Sequence, residues 1–175
     1  MKPLKIFLAL LLTASLLCPA YGAELETRYA TVIYEKDDLL KEFNNRIRLG
    51  SLSYLVRNKS SLTIADEVRN KVDVIMDRVQ AVLQMFPNNI KIKIVLLPSD
   101  TEVSNMFKLK YAMDVSYIAF YAPRDKTVYI SVDSVRLHVF AHELGHVVVD
   151  HYFGVPPPAH IHELLAQYVE AHLED

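Results

Sequence analysis

The sequence predicts an α+β domain: a small mixed β-sheet packed on one apolar helix, with a last helix turned back across it. Three observations carry this. Ile64, Val68, Val72, Ile75, Val79, Val82 and Phe86 recur at steps of three and four, the period of a long amphipathic helix. Several short runs rich in β-branched and aromatic residues read as strands. Val135 to Val149 is apolar on nearly every side, which marks a helix buried all round.

The first residues stand apart from this domain. Lys2 and Lys5 precede an apolar run from Ile6 to Leu17 that is too short to span a bilayer comfortably. Ala20-Tyr21-Gly22 then offers small residues where a signal peptidase reads them. Residues 1–22 are expected to be a signal peptide cut before Ala23, leaving residues 23–175 as a single domain. That length suffices for one real core. Cys18 is not a lipidation site, because Leu17 stands where a small residue is required. It is the only cysteine, so the exported chain carries no disulfide. The expected location is the periplasm or the medium, with no stable membrane association. A net charge of −2 without a Lys/Arg run argues against nucleic acid as a partner.

Taken in order, Glu26 to Tyr34 reads as a first strand and Glu35 to Phe43 as a short helix, followed by a polar stretch, Asn44 to Ser53. The long helix begins near the Ser/Thr cluster and stops at Pro87. Ile90 to Leu97 is a strand whose alternating Ile and Lys leave one face partly wet. Pro98-Ser99-Asp100 opens a helix reaching Tyr111, with Ser99 or Asp100 as its cap. Val115 to Tyr121 and Thr127 to Val132 form a hairpin around Ala122–Lys126. Asp133-Ser134 caps the apolar helix, Gly154 and Pro156-Pro157-Pro158 end it, and a last helix runs from Ala159 to Leu173.

Inside the apolar helix lies H-E-x-x-H: His142, Glu143 and His146. Residues four apart share a helix face, so the two imidazoles can grip one metal ion. Glu143 sits about 100° round, where a carboxylate can take a proton from a water beside the ion. Two histidines and a glutamate in a buried helix are costly without partners, and a divalent cation satisfies them. That is the helix of a zinc metallopeptidase. All seven histidines lie at or after residue 138, as a metal neighbourhood would have it.

A catalytic zinc takes three protein ligands. The metzincin spacing fails, because Val149 and Tyr152 stand where Gly and His belong. Glu163, beyond the proline turn, is the favoured third ligand, with His160, His162 and Glu170 as alternatives. His138, one turn before the motif, either lines the cleft or simply packs, and Asp150, one turn after it, either backs a ligand or, more commonly for such an acid, stands solvated, while His151 and His172 are expected to face solvent.

His142-Glu143-Leu144-Gly145-His146, followed by Pro158-Ala-His-Ile-His-Glu-Leu-Leu-Ala-Gln-Tyr-Val-Glu170, resembles the gluzincin clan of zinc peptidases. Within it, the likeness is greatest to the small bacterial thermolysin-like or minigluzincin type. The hairpin with Phe120–Pro123 and Val128–Ser131 matches the strand pair before the metal helix there, so the resemblance covers residues 115–175. It implies a zincin-like fold whose C-terminal helix supplies the third ligand. It further implies Zn²⁺ on His142, His146 and Glu163, Glu143 as general base, and a peptide or protein substrate.

Three features depart from the family. Leu164 replaces a usual Gly, and Gln167 replaces an acid that orients a metal-bound histidine in many members. The sequence also ends soon after Glu163, where larger members place a Tyr or His that stabilises the oxyanion; Tyr168, His160 and His162 are the candidates for that role here. The expected reaction is metal-assisted peptide hydrolysis, the strand at Thr127 to Val132 pairing with an extended substrate. The alternative is a zinc-binding but non-catalytic or latent module.

Overall fold

The computed structural model describes residues 22–175; residues 1–21 of the expected signal peptide lie outside them. Among the described residues one mixed sheet holds β1 (Ala23–Glu26), β2 (Ala30–Tyr34), β3 (Ile92–Leu97), β4 (Ala119–Ala122) and β5 (Thr127–Ser131). Their order is β1-β2-β3-β5-β4. The inner pairs β2–β3 and β3–β5 are parallel, and the outer pairs β1–β2 and β4–β5 antiparallel. The helices are α1 (Asp37–Arg46), α2 (Ile64–Leu83), α3 (Asp100–Tyr111), α4 (Leu137–Tyr152) and α5 (Ala159–His172). The expected α+β class with a mixed sheet is what the chain adopts.

Several boundaries depart from the sequence reading, each for a local reason. The single strand expected over Glu26–Tyr34 is a hairpin. Thr27 Oγ1 accepts from the backbone N–H groups of Tyr29 (3.2 Å) and Ala30 (3.0 Å), so a side-chain oxygen makes the turn that Gly or Asn usually marks. The stretch read as polar, Asn44–Ser53, finishes α1 and sends Ile47, Leu49 and Leu52 into the core. Helix α2 opens on a reciprocal Thr63/Asp66 capping box and ends at Leu83, where Gln84 turns left-handed at φ 53°. Phe86 therefore lies beyond the helix and is exposed. Ser99 caps α3 as expected.

Two corrections bear on the site. Asp133-Ser134 does not cap α4; Arg136 stands at its N-cap without a side-chain cap bond, and Ser134 donates its hydroxyl to Asp100 Oδ2 (2.9 Å) instead. Nor is β5 free to pair with another chain, since β3 and β4 occupy both its edges. The free edge on that side belongs to β4. Ile118 O accepts from Ser131 N–H on β5 (2.9 Å), so by strand alternation the backbone groups of Ala119 and Tyr121 point outward to that edge.

Helices cover both faces of the sheet. Helix α3 closes one face through Phe107, whose ring meets Phe120, which in turn stacks on Tyr129. The main core fills the other face, with α4 laid against β4, α2 and α5. Phe140, Leu144, Val147 and Val148 of α4 are wholly buried there. Burying side chains of that size stabilises by about 1.5–3 kcal/mol each, which holds α4 rigidly enough to carry a site.

Candidate metal centre

The all-round burial of α4 leaves one stripe facing α5, and His142 and His146 lie on it. Close approach of the two helices depends on Gly145. A Cβ built there would stand 3.1 Å from the backbone Cα of Ala166, so α5 packs closer than a side chain at 145 would let it without giving way. The far end of α5 is pinned from behind. Arg78 donates to the carbonyl oxygens of Leu173 and Asp175, both at 2.7 Å, and Ser51 N–H donates to Glu174 Oε1 (3.0 Å). Leu173 is fully buried.

This packing brings Glu163 over the two motif histidines. His142 Nε2 and His146 Nε2 lie 3.2 Å apart. Glu163 Oε1 is 3.7 Å from His142 Nε2, and Oε2 is 3.5 Å from His146 Nε2. Ligand bonds of about 2.0–2.2 Å in tetrahedral geometry set donor atoms about 3.3–3.6 Å apart, so the three side chains stand within about 0.1 Å of the spacing that one ion requires. His142, His146 and Glu163 form a group that can hold a metal ion. Comparison with protein-family models, with curated proteins and with solved structures gives no match.

Each candidate ligand has its own backing contact, and all come from α5. Glu170 Oε2 lies 3.3 Å from His142 Nδ1. His162 Nδ1 lies 3.0 Å from His146 Nδ1. Gln167 donates its amide to Glu163 Oε1 (2.9 Å). The Glu170 carboxylate is thus placed to orient the His142 ring, and Gln167 steadies the glutamate. His160, the remaining alternative ligand, is exposed and outside the group.

Glu143 is buried beside the triangle. Burial pushes its carboxyl up to about 7 and the charge of Glu163 adds to this, while the outward-facing Tyr121 N–H of β4 works against it. Burial, with the neighbouring imidazoles of His142 and His162, holds His146 down at about 4 against the pull of Glu163. An imidazole kept neutral this way is ready to ligate without first losing a proton. Burial likewise lowers His162, against Asp150 and Glu163.

The outlying residues sort themselves. His138 Nδ1 meets the Glu170 carbonyl (3.0 Å) and its Nε2 lies 3.2 Å from Glu174 Oε2, so it ties α4 to the end of α5. Asp150 accepts from the Tyr121 hydroxyl (2.9 Å), joining α4 to β4. His151, expected to face solvent, is half-buried and bonds the Val147 carbonyl through Nδ1 (2.8 Å). Tyr168 stacks on His172, ring centroids 4.1 Å apart. Leu164 is exposed and does not enter the helix contact. Sequence reasoning missed Gly145, although a glycine inside a buried helix is a signal of close packing.

Proposed function

We propose that the chain is an exported zinc-dependent peptidase of gluzincin type, built on a zincin-like fold. The observation that supports it most is the triangle of His142, His146 and Glu163 with Glu143 buried beside it under the free edge of β4. Two imidazoles and a carboxylate suit zinc, and three protein ligands are the number a catalytic site uses. Zinc, when bound, supplies a Lewis acid that polarises the scissile carbonyl and acidifies water.

The chain's own residues do the rest. His142 Nε2, His146 Nε2 and the Glu163 carboxylate hold the ion. An extended peptide adds to the edge of β4 through the outward backbone groups of Ala119 and the Tyr121 carbonyl, while the Tyr121 N–H stays with Glu143. Glu143 takes the proton of the attacking water on its carboxylate and hands it to the leaving nitrogen. A carboxyl poised near neutrality serves both transfers. Binding through backbone groups makes the expected substrate an unfolded or extended polypeptide with little sequence preference.

A second reading, a zinc-binding module that does not cleave, is favoured by one observation. The candidate oxyanion donors are otherwise engaged: His162 on His146, Tyr168 against His172, and His160 out in solvent. The test separates the two. Residues 23–175 loaded with zinc are expected to cleave unfolded casein, and Glu143→Gln to keep the zinc while cleavage falls by about 10²–10⁴-fold. Undiminished turnover in Glu143→Gln overturns the general base. Zinc binding by the wild type with no cleavage leaves the module.

A further inference from the structure

We propose that His162 is the positioning residue of His146: its Nδ1 accepts the Nδ1–H of that ligand and fixes the tautomer that leaves His146 Nε2 bare for the metal. This rests on the metal-centre reading above. A neutral imidazole carries one N–H. His146 Nε2 faces the other two donors, at 3.2 Å from His142 Nε2 and 3.5 Å from Glu163 Oε2, and as a ligand atom it must be bare. The proton therefore belongs on Nδ1 and needs an acceptor there. The acceptor within reach is His162 Nδ1, at 3.0 Å. His162 in turn must carry its own proton on Nε2.

The placement is economical. His162 precedes Glu163 on α5, so the turn that delivers the third ligand also delivers the acceptor for the second. The same Gly145–Ala166 contact sets the depth of both. The two histidine ligands are then held unequally. His142 is backed by the carboxylate of Glu170 (3.3 Å), and His146 by a neutral ring, which raises ligand basicity less.

The test is atom-specific. Asparagine at 162 sets its amide oxygen where Nδ1 stands, whereas glutamine reaches toward Nε2. Zinc dissociation constants are measured by competition with a chromophoric chelator, with the melting temperature of each metal-free variant as the folding control. His162→Phe and His162→Gln are expected to weaken zinc by about 10–100-fold, and His162→Asn to stay within about threefold of the wild type. Unchanged affinity in His162→Phe, or equal loss in His162→Asn and His162→Gln, overturns the assignment. If His162→Phe does not fold, the Asn and Gln pair decides alone. A wild type that binds no zinc overturns the metal-centre reading itself, a separate result.

Discussion

Gly145→Ala sets two known effects against each other, and the structure decides the sign. The new methyl would stand 3.1 Å from Ala166 Cα, 3.4 Å from Val169 Cγ2 and 3.5 Å from Ala166 Cβ. Carbon atoms pack best at about 3.5–4.0 Å, so the α5 backbone must give by a few tenths of an ångström. It is poorly placed to do so, with Val169 and Leu173 buried and Arg78 gripping the carbonyls behind them. Replacing a helical glycine by alanine stabilises by about 1 kcal/mol, whereas overpacking a filled contact costs about 1–3 kcal/mol. The net expectation is a loss of about 1 kcal/mol, or about 2–4 °C in melting temperature for a domain of this size. Metal binding should suffer more. Glu163 sits one turn before Ala166, and a site needs its donors held within about 0.5 Å. Zinc affinity is expected to fall by about tenfold or more, that is about 1.4 kcal/mol. The assays are thermal melts in chelator and a zinc competition titration on the same samples. A variant that melts higher, by the full helix-propensity gain, and binds zinc unchanged would show that the helices do not meet at this point.

Two further outcomes follow from the buried ionisable groups and the backing contacts. In metal-free protein the raised Glu143 carboxyl makes stability fall by about 3 kcal/mol as pH rises from 4.5 to 7, because the folded state holds a proton that the unfolded state has released. The depressed His146 and His162 act oppositely, raising stability as pH climbs toward the ordinary histidine value, so Glu143→Gln climbs more steeply than the wild type. Denaturant melts in chelator at half-unit pH steps check this, and parallel profiles for the two proteins would contradict it. Glu170→Ala removes the carboxylate 3.3 Å from His142 Nδ1 and is expected to weaken zinc by about 10–100-fold in the same titration; an unchanged constant would make that contact incidental.

The parts of this structure that were legible in the sequence are those that local periodicity or spacing controls. The α2 stripe, the Ser99 cap and the burial of α4 follow from residue patterns within one element. So does the pairing of His142 with His146, and the proline turn made Glu163 reachable. Residues 163, 167 and 170 share a helix face, which made Glu170 an alternative ligand, but that it backs His142 instead depends on how the helices cross. What stayed hidden depends on how elements meet. Thr27 breaks the first strand with its own hydroxyl, a turn without a turn residue. Ser134 abandons the α4 cap for an aspartate 34 residues away. The interior place of β5 depends on two parallel pairings that no hairpin signal announces. His162 points about 100° away from Glu163 on the helix, and only the observed crossing of α4 and α5 sets its ring on His146.

The measurement that tests the central claim most directly is the metal content of purified residues 23–175, prepared with zinc present, beside Glu163→Ala. One zinc per chain in the wild type, lost or at least tenfold weaker (about 1.4 kcal/mol) in the variant, is the result expected of a site held by His142, His146 and Glu163. A wild-type chain that carries no metal, or a variant that holds it as tightly, would contradict the account.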